Sequence, residues 1–180
     1  VPVINGLTNL SHPCQLLADL LTFYECKGEI RDAKVTWVGD YNNVFFSYVE
    51  ASKLFQFNLE IACPKTYWPS TEVMQETGAT FTEDLKAAVK ESDLITTDVW
   101  VSMGDEADSE NRIKEFNPYQ VSPAVMDLAK TEAIFLHCLP AIRGQEVSED
   151  MLEDPRSKVW VQAENRLHAQ KALLLKLLDH

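Results

Sequence analysis

Short β-rich runs alternate with helix-like patterns along this chain of 180 residues. We predict strands over 34–38, 58–63, 94–97, 134–138 and 159–161. Several runs are apolar at consecutive positions, as in Ile134, Phe135 and Leu136, which is typical of strands buried on both faces. The alternation predicts an α/β fold with a doubly wound, mainly parallel, Rossmann-like sheet and helices on both faces, in a single domain over residues 1–180.

Apolar residues at helical spacing predict a helix near each end of the chain. The first predicted helix contains Leu16, Leu17, Leu20, Leu21 and Tyr24. Pro13 suits the first turn of this helix, where the missing N–H costs nothing. The last predicted helix contains Leu167, Leu174, Leu177 and Leu178.

The charge of the chain is strongly acidic and excludes one class of partner. Asp and Glu number 28 against 16 Lys and Arg, for a net charge of −12. Nucleic acid is not expected to bind, because its phosphate backbone calls for a basic face. An anionic small ligand must instead be met by a local cluster of donors, since the overall field opposes it.

The cysteines and the apolar runs bear on the compartment. Cys14, Cys26, Cys63 and Cys138 lie far apart and form no CxxC pair, which favours a reducing cytoplasm over a disulfide-bonded secreted protein. No zinc-type ligand spacing is present, so no metal is expected. No apolar run approaches the roughly 18 residues of a membrane span, and we predict no membrane partner.

Ligands of open parallel sheets bind beyond the carboxyl ends of the strands, so the residues that follow each predicted strand are the first candidates. GDYNN at 39–43 follows the first strand and leads into a helix that we predict to start near Val44. Asn side chains and free N–H groups there suit a carboxylate or a phosphate. Alternatively, Asn42 or Asn43 simply caps the helix. The lone Gly39 lacks the companions of a dinucleotide fingerprint.

Asp98 follows the predicted strand 94–97. If that strand continues, Asp98, Trp100 and Ser102 share one face. A carboxylate there is suited to an ammonium group of a substrate. The alternatives are a structural Asp in a surface turn and a Trp100 that packs in the core.

His137 and Cys138 close the predicted strand 134–138. Adjacent strand residues point to opposite faces, so the two are not expected to act on each other as base and nucleophile. Cys138 is alternatively a small buried hydrophobic residue.

Arg166 is predicted to lie at the start of the last helix, where its planar guanidinium suits a carbonyl or phosphate oxygen. An ion pair with Glu164 is the equal alternative. His12 and Gln15 are three residues apart on the first helix, so they share a face and suit one common ligand.

Five motifs, taken together, resemble those of the aspartate/ornithine carbamoyltransferase family and occur in the family's order. They are HPCQ at 12–15, GDYNN at 39–43, DVWVSMG at 98–104, HCLP at 137–140 and QAENRLH at 162–168. The third and fourth motifs match the ornithine branch of the family. The likeness covers essentially the whole chain, which resembles the carboxy-terminal, ornithine-binding domain.

The resemblance implies that the carbamoyl group of carbamoyl phosphate is transferred to the side-chain amine of L-ornithine, giving L-citrulline and phosphate. It implies no metal and no organic cofactor. It places Asp98 at the α-ammonium group of ornithine, and Asn43, Ser102 and Met103 at the α-carboxylate end. The Leu139 carbonyl would lie near the side-chain amine.

The resemblance also implies the groups that meet carbamoyl phosphate. They are His12, Gln15, Cys138, Leu139 and Arg166, of which His12, Cys138 and Arg166 are catalytic. The amine attacks only when it is unprotonated, so a Cys138 thiolate or the Leu139 carbonyl must orient it without holding it as an ammonium ion. His12 and Arg166 would stabilise the developing oxyanion.

Two departures from the family's pattern qualify this expectation. No Ser-Thr-Arg-Thr string, the phosphate-gripping signature of the family's amino-terminal domain, occurs in these residues. We therefore expect that the carbamoyl phosphate domain is absent and that the chain alone is inactive. The family's trimers are built largely through that domain, so this piece is expected to be monomeric. In addition, Ile142 stands where ornithine enzymes commonly have His.

Other functions remain open at this point. A non-catalytic amino-acid-binding module would use the same motifs without turnover. A related amine acceptor, such as acetylated ornithine or putrescine, is a second alternative. Aspartate is disfavoured, because its second carboxylate would face the charge of Asp98. A nucleotide-binding domain would rest on fold analogy alone.

Overall fold

The computed structural model describes residues 1–101 and 109–178. Within these residues, five strands form one parallel sheet in the order β3-β2-β1-β4-β5. The strands are β1 (Lys34–Val38), β2 (Asn58–Ala62), β3 (Thr80–Thr82), β4 (Leu94–Thr97) and β5 (Ile134–His137). This architecture confirms the predicted doubly wound α/β sheet.

Seven α-helices accompany the sheet in the described part of the chain. They are α1 (Pro13–Lys27), α2 (Asn43–Phe55), α3 (Thr71–Thr77), α4 (Leu85–Val89), α5 (Ser109–Phe116), α6 (Pro123–Met126) and α7 (Val159–Leu178). Short 3-10 turns occur at Lys65–Tyr67, Asn117–Tyr119 and Met151–Glu153. None of these helices is long and apolar enough to cross a membrane.

Helices cover both faces of the sheet, as two neighbouring residues of β1 demonstrate. Trp37 packs against Phe45 and Tyr48 of α2, with ring centroids 5.9 and 5.8 Å apart. The Thr36 hydroxyl donates to the carbonyl of Ala88 in α4 on the opposite side. Successive strand residues face opposite sides, so α2 and α4 lie on different faces. Helix α1 packs against both α2 and α7 on the α2 side.

The order in which successive strands are added to the sheet reverses between β1 and β4. From β1 it winds outward through β2 and β3, and it then returns to the centre to form β4 and β5 on the other side. Such a switch point leaves a crevice at the carboxyl ends of the two central strands. The loops after β1, β4 and β5 therefore border one crevice.

The predicted strand over 159–161 is wrong, because α7 begins at Val159. Strand-like pairing lies slightly earlier: the Phe135 N–H donates to the Arg156 carbonyl, and the Lys158 N–H donates to the Phe135 carbonyl. Trp160 and Val161 are 59% and 42% exposed, so the apolar run is not buried on two faces. The short edge strand β3 was not predicted, since its TFT sequence carries little apolar signal.

Candidate active site

Asp98 and Cys138, which are forty residues apart in sequence, are in direct contact at the carboxyl edge of the sheet. The Cys138 thiol donates to Asp98 Oδ1 over 3.0 Å. The contact arises because β4 and β5 are neighbours in register, with Thr97 opposite His137. The residues that leave the two strands are therefore brought together.

The carboxylate of Asp98 is held by donors on both oxygens. Its own loop donates through the Val99 N–H, 2.8 Å from Oδ1. Asn42 Nδ2 donates to Oδ2, also over 2.8 Å. Asp98 is half-buried, so one side of the carboxylate remains open to a ligand.

The predicted common face of Asp98, Trp100 and Ser102 requires that the strand continue beyond Thr97, and it does not. Strand β4 ends at Thr97, so Asp98 and Trp100 do not share a strand face. Trp100 is buried and stacks on Phe116 at a centroid distance of 6.2 Å, which confirms the core-packing alternative for this residue. Ser102 and Met103 lie outside the described residues.

The Cys138 thiol is held in its protonated form. Burial is the main cause that raises its pKa well above the ordinary value, and the negative charge of Asp98 raises it further. The expectation of a thiolate at this position is therefore not supported. A neutral thiol forms a hydrogen bond without the charge that would favour an ammonium ion.

The two asparagines after β1 have different partners. Asn42 caps α2, since its Oδ1 accepts from the N–H groups of Val44 and Phe45. Its amide nitrogen also reaches Asp98, a role that the sequence did not reveal. Asn43 is the first residue of α2 and donates to the Thr8 carbonyl over 2.8 Å.

Gln15 lies in the first turn of α1, whereas His12 precedes the helix as its N-cap, with non-helical backbone angles. The predicted helix face shared by the two residues is therefore wrong for His12. Burial, followed by the positive charge of Arg166, lowers the pKa of His12 below 6.5. The ring is therefore neutral at pH 7. Its Nδ1 is buried and makes no hydrogen bond of ordinary geometry with the described residues, although the backbone of Gly6 lies close enough to raise the ring's pKa in part.

Arg166 contacts Gln15, with Nη1 donating to Oε1 over 3.1 Å. Its predicted position at a helix start is wrong: it lies in the third turn of α7, because that helix includes the segment predicted as a strand. The alternative ion pair with Glu164 does not form. Glu164 lies 3.6 Å from His168 instead.

The buried carboxyl group of Asp19 orients Gln15, which in turn contacts Arg166. Asp19 Oδ1 accepts from Gln15 Nε2 over 2.9 Å and from Gln162 Nε2 over 2.6 Å, and Oδ2 accepts from the Tyr48 hydroxyl over 2.6 Å. Burial raises the pKa of Asp19. The sequence analysis missed Asp19, although an acidic residue within an apolar helix stripe was a usable signal.

His137 and Cys138 point in opposite directions, as predicted. The His137 ring contacts Glu146 while the thiol contacts Asp98. Leu139 follows with a left-handed backbone, φ 54°, which is uncommon for a residue with a Cβ. Strained backbone of this kind clusters at functional sites.

One cleft is lined by four of the candidate residues, and His12 and Asp98 are not among its lining residues. Gln15 and Arg166 lie on its α1 and α7 side, and Cys138 and Leu139 lie on its β5 side. Its volume of about 620 Å³ is in the range of small-molecule sites. Motifs that are far apart in sequence thus converge on one cavity.

Comparison with known proteins identifies the family of this chain. Residues 31–177 match the family described as aspartate/ornithine carbamoyltransferase, Asp/Orn binding domain. The chain belongs to this family. The match extends from just before β1 to the last turn of α7, so it includes the Asp98 and Cys138 loops and Arg166.

Individual members of the family cover the chain almost completely. It is 52% identical to the ornithine carbamoyltransferase of Psychrobacter sp. (strain PRwf-1) over 180 residues, which are 99% of this chain and 59% of that protein. It is 52% identical to the anabolic ornithine carbamoyltransferase of Pseudomonas aeruginosa, covering 100% of this chain and 60% of the relative. The crystal structure of ornithine carbamoyltransferase from Thermus thermophilus superposes with a TM-score of 0.89 at 43% identity, over 99% of this chain and 59% of that one. The chain thus spans about 59% of the length of these relatives.

Proposed function

We propose that residues 1–180 form the ornithine-binding domain of an ornithine carbamoyltransferase. In this proposal the carbamoyl group of carbamoyl phosphate passes to the side-chain amine of L-ornithine, giving L-citrulline and phosphate. The observation that carries the proposal is the 3.0 Å contact of Cys138 with Asp98, because it joins the two ornithine-type motifs in one site. The names of the relatives support the same activity.

Asp98 binds the α-ammonium group of ornithine in this proposal. Its carboxylate is half-buried and is already oriented by Asn42 and by the Val99 N–H. A preoriented carboxylate forms a charge-assisted hydrogen bond with an ammonium group without first losing side-chain freedom. Asn43, Ser102 and Met103 are proposed to meet the α-carboxylate, and Asn43 would then exchange its bond to Thr8.

Cys138 and the Leu139 carbonyl orient the side-chain amine. The amine must be unprotonated to attack the carbamoyl carbon. A thiol with a raised pKa, whose hydrogen is donated to Asp98, and a neutral carbonyl accept hydrogen bonds from the amine N–H groups without adding a negative charge of their own. The site therefore positions the nucleophile while leaving its lone pair free.

His12, Gln15 and Arg166 meet the carbamoyl group. Attack places negative charge on the carbamoyl oxygen, and preoriented donors stabilise that charge. Arg166 supplies a fixed positive charge that Gln15 holds in place, and the neutral His12 ring is proposed to donate through a ring N–H. The phosphate end is proposed to need residues beyond these 180, since the chain covers 59% of the Psychrobacter relative.

Further aspects of the proposal concern partners and location. The free cysteines support a reducing, cytoplasmic compartment. The net charge of −12 supports the absence of a nucleic-acid partner. The anabolic relative supports a role in arginine biosynthesis. We propose a trimer for the full-length enzyme and a monomer for these residues alone, which sedimentation of both forms would test.

The test joins this chain to the remaining, amino-terminal segment of the Psychrobacter relative and measures citrulline from carbamoyl phosphate and ornithine. Putrescine, acetylated ornithine and aspartate serve as competing acceptors. Turnover with ornithine, lost in Asp98→Asn and kept in the exposed control Glu164→Gln, is the expected result. A folded joined protein that binds ornithine without producing citrulline would instead identify a non-catalytic amino-acid-binding module.

A further inference from the structure

The turn from His137 to Ile142 presents the two groups that face the amine, Cys138 Sγ and the Leu139 carbonyl. It leaves β5 at the edge of the sheet, so sheet hydrogen bonds do not extend into it. Leu139 also adopts the unfavourable left-handed conformation. Something outside the sheet must therefore hold this turn in place.

The ring of His137 is the first such group. The Leu139 N–H donates to His137 Nδ1 over 2.9 Å. Because Nδ1 accepts, we assign the ring hydrogen of the neutral imidazole to Nε2. His137 Nε2 lies 3.1 Å from Glu146 Oε1 and donates to it. The ring thus connects the strained residue to a carboxylate.

Glu146 holds the other end of the turn as well. Its Oε1 also accepts from the Ile142 N–H over 2.5 Å. Glu146 is fully buried, and its Oε2 has no partner among the described residues. One oxygen of a buried carboxylate therefore ties both ends of the turn, His137 and Ile142, to a single point.

The end of β5 has a separate anchor. The His137 N–H donates to Gln162 Oε1 over 3.0 Å, and this bond involves neither Glu146 nor the His137 ring. Loss of the Glu146 contacts is therefore expected to release the turn while leaving the strand in the sheet. This separation distinguishes a positioning role from a purely structural one.

We propose that Glu146, acting through the Nε2–H tautomer of His137, is a positioning residue that holds Cys138 and Leu139 in register with Asp98 for the amine. The catalytic part of this inference, that the turn orients the ornithine amine, rests on the proposed function. The geometric part, that Glu146 keeps the thiol on Asp98, can be tested without any turnover.

The first measurement is alkylation of Cys138 by iodoacetamide, followed peptide by peptide by mass spectrometry. Buried Cys63 serves as the internal reference for global unfolding. In the native protein we expect Cys138 to react slowly, because burial and Asp98 raise its pKa. Release of the turn should speed the alkylation of Cys138 about tenfold or more. The thiolate is the reactive form, and its fraction rises about tenfold when the thiol pKa falls by one.

Matched variants separate the hydrogen bonds from the charge. Glu146→Gln keeps Oε1 as an acceptor for both donors, and Glu146→Leu has a similar volume without an acceptor. We expect the Gln variant to stay within about twofold of the native alkylation rate and the Leu variant to show the full increase. Equal rates for both variants, with Cys63 still protected, would overturn the proposal.

His137→Gln covers the case in which Glu146→Leu fails to fold. The Gln amide nitrogen replaces Nε2–H and keeps Glu146 paired. Its amide oxygen lies one bond further from Cβ than His Nδ1, so it does not occupy the position that accepts from the Leu139 N–H. We expect fast Cys138 alkylation with Cys63 protected. A native alkylation rate in this variant would also contradict the proposal.

Kinetics of the joined enzyme supply the catalytic test. Glu146→Leu and His137→Gln should raise KM for ornithine, or lower kcat, with a smaller effect on KM for carbamoyl phosphate. The released turn carries both groups that face the amine, whereas His12, Gln15 and Arg166 lie on other elements and remain in place. Equal increases in both KM values would refute the positioning role. If the native joined enzyme forms no citrulline, the proposed function fails, and the alkylation rates still decide whether Glu146 holds the turn.

Discussion

The hydroxyl of Tyr48 donates a 2.6 Å hydrogen bond to Asp19, and Tyr48→Phe removes that hydroxyl alone. Both residues are buried, with 1% and 2% of their surface exposed. Asp19 accepts hydrogen bonds from Gln15, Gln162 and Tyr48, and these three donors favour its ionised form against burial. A hydrogen bond to a charged group contributes about 1.5–3 kcal/mol, so we expect the free energy of unfolding to fall by that amount at neutral pH. For a protein of this size the Tm should fall by about 3–12 °C.

The loss should depend on pH in a defined direction. Burial raises the pKa of Asp19, and the Tyr48 hydroxyl opposes this by stabilising the carboxylate. The contribution of the hydroxyl is therefore present where Asp19 is ionised, and it declines as the pH falls below the Asp19 pKa. Tyr48→Phe should destabilise the protein more at neutral pH than at acidic pH.

Urea unfolding followed by tryptophan fluorescence at several pH values measures both quantities. Tyr24→Phe is the matched control, because Tyr24 is 62% exposed and its hydroxyl should contribute little. The reasoning would be refuted by a loss below about 0.5 kcal/mol at neutral pH, the usual range of surface substitutions. A loss that grows toward acidic pH would refute it equally.

Three further predictions concern the cleft. Asp98→Asn should weaken ornithine binding in calorimetry by about tenfold or more, and unchanged affinity would remove Asp98 from the ammonium site. Arg166→Lys should lower kcat of the joined enzyme by about 10²–10³-fold, as expected when a preoriented oxyanion donor is lost; a change in KM alone would assign Arg166 to ground-state binding. Because burial and Arg166 lower the pKa of His12, kcat/KM calculated per unprotonated side-chain amine of ornithine should stay constant as the pH falls through 6.5 and decline only below it. Arg166→Gln should move that decline to higher pH, and a fixed position would show that the His12 ring does not control it.

Four of the five predicted strands were confirmed because their signal is local. Consecutive apolar residues such as Ile134, Phe135 and Leu136 are buried on both faces of β5, and this burial needs no knowledge of partners. The run at 159–161 failed because an apolar run of three residues fits a strand and the first turn of a helix equally well. Backbone pairing with Phe135 ends at Lys158, and only that pairing decides where α7 begins.

The residues of the candidate site fall into two groups: those in recognisable sequence motifs and those that only tertiary contacts reveal. The motif order identified His12, Gln15, Asp98, Cys138 and Arg166, because each belongs to a short string with recognisable chemistry. The supporting residues Asp19 and Glu146 carry no such string. Each is a single acidic residue whose importance follows from complete burial and from donors on other elements.

By itself, the sequence of this protein determined the alternation of strands and helices, the acidic surface and the set of motifs that resemble a carbamoyltransferase. The tertiary structure alone decided which distant residues meet: Cys138 with Asp98, Gln15 with Arg166, and both ends of the 137–142 turn with Glu146. The physical reason is that these contacts depend on strand order and register. Those are set by burial summed over the whole domain, and no short stretch of residues contains that information.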